Sequence, residues 1–243
     1  MTAQPDPDRL GDSVALVRAA EAAGISLRII GGLAVQILCP SASHAPLARP
    51  CKDLDLVGRS KQRKQIEAFM STRGYQPARQ FNLLHGETQL MFGDSRGTVD
   101  VFLDALRMCH TLPLADRLDH GDVTLGAADL LLSKVQIVQT TDRDLLDVVA
   151  LLKDADIDER RVAEVLAADW GWWRTATEVL ERARAFAADL PGLSDADAVQ
   201  SRADGLLARI ESEPKSRRWR MRARVGERMR WYELPDESQE RAG

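Results

Sequence analysis

Asp53-Leu54-Asp55-Leu56-Val57 is the stretch on which the fold and the chemistry of the first half both turn. The alternation reads as a strand. Successive strand side chains point to opposite faces, so both carboxylates share one face and Leu54 and Leu56 enter a core. Two like charges a few ångströms apart repel, and a protein normally keeps such a pair when a cation sits between them. Oxygen ligands favour a hard ion such as Mg2+, with Mn2+ as a substitute, completed by water and substrate phosphates.

Working outward, Leu27-Arg-Ile-Ile30 reads as a short strand that runs into Gly31-Gly32, and Leu33 to Cys39 as a short helix. Two glycines let the backbone approach a ligand closely, and N–H groups at a helix start favour anions. On the other side, Thr98-Val-Asp-Val-Phe102 places Asp100 inside an apolar strand. If the two strands pair in one sheet, Asp53, Asp55 and Asp100 converge and can hold two ions. A glycine turn, a D-x-D strand and a strand with a single Asp form a metal–triphosphate site suited to in-line transfer at phosphorus. Taken singly the features have plainer readings: a solvated strand edge for D-x-D, and a turn cap or an arginine partner for Asp100.

The remaining pattern divides the chain. Residues 9–24 and 61–73 read as helices, residues 40–50 as a proline-containing loop, and 75–84, 88–92 and 97–103 as extended segments punctuated by Gly86 and Gly93-Asp94-Ser95. After about residue 125 the chain reads as helices over 127–140, 142–153, 159–168, 174–188 and 195–211. The expected fold is α+β: a small mixed or antiparallel sheet with flanking helices over residues 1–125, then a helical bundle over 126–243.

Composition sets limits. The 243 residues are 44% hydrophobic and 29% charged, enough to bury a core and unlike a disordered chain. Three cysteines without a CxxC pair exclude a disulfide scaffold and an ordinary zinc knuckle. No apolar run reaches the roughly 18 residues of a membrane span. The N-terminus resembles no signal peptide, so a reducing cytoplasm is the expected location. A net charge of −4 excludes a uniformly basic nucleic-acid binder, but residues 214–231 alone carry +7 and residues 232–243 carry −3, leaving −8 on residues 1–213. That basic segment alternates as a strand would, yet Met221, Val225 and Met229 form a helical stripe and Pro214 is placed to start a helix, the reading preferred here. Its arginines and tryptophans can track an RNA backbone and stack on bases, or the segment can fold back on the acidic body with Trp219 and Trp231 as anchors. Trp170, Trp172 and Trp173 read as helix-packing aromatics.

The order Gly31-Gly32-Leu33-Ala34, Arg49-Pro-Cys-Lys-Asp53-Leu-Asp55-Leu, Val99-Asp100-Val, Leu132-Ser-Lys134 and Arg143-Asp144-Leu-Leu-Asp147 resembles the nucleotidyltransferases of the DNA polymerase beta superfamily. Within it, the AbiEii-like and MenT-like toxin nucleotidyltransferases are most similar, over roughly residues 25–152. The resemblance implies that Asp53, Asp55 and Asp100 bind metal, with Asp100 also the base on the attacking hydroxyl. It implies that Gly31 and Gly32 hold the β- and γ-phosphates and that Lys134 meets a nucleotide phosphate. Asp144 would orient Lys134 or the sugar, and Arg49 or Lys52 would add a phosphate contact. Cys51 and Gly32 depart from the Thr or Ser found at those places in relatives, which leaves the nucleotide preference open. The plainer readings are a snorkelling Lys134 and a helix-capping Asp144.

The function expected is Mg-dependent transfer of a nucleoside monophosphate from a nucleoside triphosphate to a hydroxyl. The acceptor would be tRNA or other RNA, as in toxin–antitoxin systems with a cognate antitoxin partner. Two other acceptors fit the class, a protein side chain and a small aminoglycoside-like molecule. A catalytically silent nucleotide-binding or interaction module, and an RNA-binding protein with incidental acids, are the readings outside it.

Overall fold

The computed structural model describes residues 7–93, 97–120 and 122–234. Part of the Gly93-Asp94-Ser95 punctuation, and most of the acidic stretch after residue 231, lie outside the described residues.

In chain order the elements are α1 (Pro7–Ala22), β1 (Leu27–Ile30), α2 (Gly31–Leu38), β2 (Leu54–Gly58), α3 (Arg63–Thr72), β3 (Gln76–Pro77), α4 (Arg79–His85), β4 (Gln89–Gly93), β5 (Thr98–Leu103), β6 (Ala105–Arg107) and β7 (Thr111–Pro113). Helices follow: α5 (Ala127–Val135), α6 (Asp142–Asp154), α7 (Glu159–Ala168), α8 (Trp170–Asp189), α9 (Ala196–Ser212) and α10 (Arg217–Val225). The architecture is α+β. Five strands form one mixed sheet in the order β1-β2-β5-β4-β3, with β2 and β5 parallel and the other neighbours antiparallel. A separate hairpin joins β6 to β7.

The strands form where β-branched and leucine side chains alternate with polar ones. β2 and β5 bury Leu54, Leu56, Val99 and Val101 at 0–1% exposure, while Asp55 and Asp100 between them stay half-open. Each buried aliphatic side chain contributes about 1.5–3 kcal/mol by leaving water. The apolar core is continuous: α2 and α5 join it to the sheet, and Leu180, Leu206 and Ile210 extend it through α8 and α9.

Three expected elements differ. Residues 75–84 do not continue as a strand, because after two strand residues the chain turns into α4. Asn82 fixes that helix to β4: its amide donates to the Met91 carbonyl at 3.1 Å and its oxygen accepts from the Met91 N–H at 2.7 Å. Helix α5 stops at Val135 instead of Thr140, and buried Gln136 accepts the His110 N–H at 3.2 Å. Helix α8 begins at Trp170, four residues early, because Asp169 caps it by accepting from the Trp172 N–H at 2.9 Å.

The basic C-terminal segment is helical and folds back on the body. Ser216 caps α10 by accepting from the Trp219 N–H at 3.1 Å, and Gly226 ends it at φ +60°. Trp219 meets Trp173 edge-on at 5.2 Å, and Trp231 meets Trp170 at 6.1 Å. Trp170 and Trp172 are buried helix-packing residues, as expected. Arg217, Arg218, Arg220, Arg224 and Arg228 form no ion pair among the described residues.

Candidate active site

The sheet register builds the site. Ile30, Asp55, Asp100 and Met91 are aligned across β1, β2, β5 and β4. Asp55 and Asp100 are direct partners on parallel strands, so their side chains leave the same face. Asp53 lies two residues earlier, in a bend just before β2 begins, and is exposed. Burial and the neighbouring Asp100 push Asp55 up to about 6, against the opposing pull of Lys134. Burial raises Asp100 as well, opposed by a hydrogen bond from Gln89 and reinforced by Asp53. The row is electrostatically uncomfortable as carboxylates alone, which is the condition a bound cation relieves.

The tips of the three carboxylates do not gather as expected. Asp53 Oδ1 accepts the Thr98 hydroxyl at 2.8 Å, and Asp100 Oδ1 accepts the Gln89 amide at 2.8 Å. Each acid is drawn to a donor on a neighbouring strand residue. Among the described residues no three His, Cys, Asp or Glu side chains are grouped tightly enough to hold one ion. The paired Asp55 and Asp100 still offer the donor set Mg2+ prefers, one or two carboxylates with room for water and phosphate oxygens.

Gly31 and Gly32 stand against this row. Gly31 adopts φ +69°, and a Cβ there would overlap Asp55 Oδ2. A Cβ on Gly32 would overlap the Arg49 guanidinium and reach 2.6 Å from Cys51 Sγ. The turn therefore needs both glycines for close approach, and Gly31 also for its backbone angle. Helix α2 starts here with no side chain capping its first turn, so no side chain competes with an anion for its N–H groups.

Lys134 is buried on α5, yet its ammonium does not snorkel to water. It lies 2.7 Å from Asp147 Oδ2. Arg49 binds the same carboxylate in a two-pronged pair, Nε to Oδ1 at 2.7 Å and Nη2 to Oδ2 at 2.5 Å. Burial would raise Asp147, but Lys134 and Arg49 outweigh it and hold the carboxyl below its usual range. Arg49 is thus braced from behind, with Gly32 packed against it. Cys51 sits beside them, its thiol pushed up by burial. Lys52 is exposed next to Asp53.

Asp144 does not orient Lys134. It closes the start of α6, its Oδ2 accepting the Thr141 N–H at 3.0 Å and the Thr141 hydroxyl at 2.7 Å. Asp147, one turn later, takes the pairing role. Two signals pointed that way: Thr141-x-x-Asp144 spells a capping box, and Asp147 lies one helical turn before buried Leu151. A lone carboxylate on a buried helix face needs cations, and Lys134 and Arg49 supply them.

No family model matches the chain, and no curated protein does. Solved structures give partial likenesses. The lincomycin-bound lincosamide antibiotic adenylyltransferase LnuA is 11% identical, with 62% of this chain and 99% of that one covered, at a TM-score of 0.41. The antibiotic-resistance factor ANT(2'')-Ia is 14% identical, with 72% and 94% covered, at 0.42. An antigenic nucleotidyltransferase-like protein from Paracoccidioides brasiliensis is 16% identical, with 88% and 97% covered, at 0.41. Likenesses this slight assign no chemistry, and the reading of the site rests on its own residues.

Proposed function

We propose that the chain is a nucleotidyltransferase of the DNA polymerase beta superfamily, moving a nucleoside monophosphate from a nucleoside triphosphate to a hydroxyl. The observation that carries this reading is the row formed by the Gly31 turn, Asp55 and Asp100 on neighbouring strands. Asp55 and Asp100, joined by Asp53 once its side chain leaves Thr98, are the residues that would hold Mg2+ or Mn2+. Such an ion, when bound, neutralises charge on the triphosphate and stabilises the attacking and leaving oxygens.

The chain's own residues do the rest. The uncapped first turn of α2 and the glycines take the terminal phosphates. Lys134 meets the triphosphate while Asp147 keeps it from swinging away, and Arg49 stands behind the glycines. Asp100 accepts the proton of the acceptor hydroxyl. The hydroxyl oxygen bonds to the α-phosphorus, the bond from that phosphorus to the bridging oxygen breaks, and pyrophosphate leaves.

RNA, a tRNA included, is the acceptor favoured here, because α10 presents arginines without carboxylate partners to solvent. A toxin role with an antitoxin partner accompanies that choice. The second reading, a cationic aminoglycoside-like acceptor, draws on the net −8 of residues 1–213. The test is transfer of label from each α-labelled nucleoside triphosphate to total tRNA, or to a small-molecule panel, in Mg2+. Label on either acceptor that is lost in Asp53→Ala/Asp55→Ala supports the reading. No transfer to any acceptor, with no Mg2+-dependent nucleotide binding, leaves a silent module.

A further inference from the structure

A concavity stands apart from the carboxylate row. It lies between the β6–β7 hairpin, the α7–α8 junction, α10 and the returning C-terminal segment of residues 230–233, with a volume of about 950 Å3. None of the residues placed in the active site lines it. That volume falls within the range of small-molecule sites.

Its walls combine two chemistries. Arg117 and Arg161 are spent on Asp129, which is fully buried between them at 2.7 and 3.2 Å. Arg218, Arg222 and Arg230 also line the cavity and have no carboxylate partner among the described residues. Arg222 is held over the Trp170 ring at 4.6 Å and donates to the Gly226 and Met229 carbonyls, so its position is fixed. Arg218 is exposed at the rim. Three acids also line the wall: Asp169 is engaged in capping α8, while Asp116 and Glu233 are exposed.

Indoles supply the other half. Trp172 is only 4% exposed and lines the cavity, yet its indole N–H has no acceptor. The Trp219 N–H on the same wall is likewise buried and unpaired. Burying a donor unpaired costs about 1–3 kcal/mol. Guanidinium groups suit phosphate, and the half-buried indoles of Trp219 and Trp231 offer aromatic surface to a heterocyclic base.

We propose that this cavity is a second site, which binds a nucleotide unit: the arginines meet its phosphate and the indoles its base. The unit comes either as a free mononucleotide or as part of a single RNA strand. The site stands apart from the carboxylate row and is expected whether or not that row transfers nucleotides.

The test follows tryptophan fluorescence of the full chain in EDTA, titrated with 5′-AMP and with a single-stranded RNA octamer. Saturable quenching by either ligand is expected, retained in Asp55→Asn and in the charge control Lys64→Glu. Arg218→Glu and Arg230→Ala should each weaken it tenfold or more, with circular dichroism unchanged. Quenching by both ligands with similar affinity assigns the free nucleotide. Quenching by the octamer alone, weakening steeply with salt, assigns the strand. Absence of saturable quenching by both, or unchanged affinity in both arginine variants, overturns the proposal.

Discussion

Lys134 on α5 and Asp147 on α6 are joined by an ion pair of 2.7 Å in the interior, and the same carboxylate holds Arg49 by two further contacts. One buried acid thus fixes two cations from different parts of the chain, Arg49 against Gly32 and Lys134 within electrostatic reach of Asp55. Removing the acid leaves two buried charges with only a neutral partner. Asp147→Asn is expected to lower stability by about 3 kcal/mol, the scale for breaking a buried pair. The urea midpoint, read with the slope of the transition unchanged, measures it. A loss below about 1 kcal/mol would show that the pairs are looser than drawn.

Gly31→Ala asks the opposite question, of space instead of charge. The new methyl group meets Asp55 Oδ2, at a backbone angle of φ +69° that alanine disfavours. A cost of about 1–2 kcal/mol is expected from the angle alone. Displacement of Asp55 adds a loss of nucleotide binding of tenfold or more. Gly74→Ala, at φ +86° with open space around it, should share the first effect and not the second. Comparing urea midpoints and nucleotide affinities of the two variants separates angle from contact.

His110 sets an acid limit on stability. Burial lowers it to about 4, while its ring stacks on Trp172 at 5.7 Å and bonds the Thr175 hydroxyl at 3.0 Å. The folded chain keeps it neutral where the unfolded chain, with the ordinary value of 6.5, has begun to bind a proton. Its contribution is therefore whole above pH 6.5 and is lost as pH falls toward 4. The His110→Gln variant should lose roughly 1–2 kcal/mol less than the native chain between pH 7 and pH 4.5, a figure reduced for the ring's partial exposure. Parallel loss in both chains would contradict the assignment.

The row of Asp55 and Asp100 was legible because strand alternation fixes the face of each side chain, and the five-strand sheet then supplies the register. The helices of the second half were legible too, since apolar periodicity over ten or more residues is hard to mistake. Residues 75–84 misled because the anchor of α4 is a polar side chain, Asn82, bonding a strand whose neighbour is known only after folding. The β6–β7 hairpin was missed because three-residue strands carry almost no pattern. Asp147 was passed over for Asp144 because its partners, Arg49 and Lys134, are brought to it by tertiary packing. The tips of Asp53 and Asp100 turn toward Thr98 and Gln89, choices among rotamers that no spacing in the chain encodes.

The central claim is that the acids facing the Gly31 turn bind a metal–triphosphate. Calorimetric titration with a non-hydrolysable nucleoside triphosphate, in Mg2+ and again in EDTA, tests it most directly. Binding in Mg2+ that weakens at least tenfold in EDTA, and equally in Asp55→Asn, is the result predicted. Binding of equal strength in EDTA, or unchanged in Asp55→Asn, would contradict it.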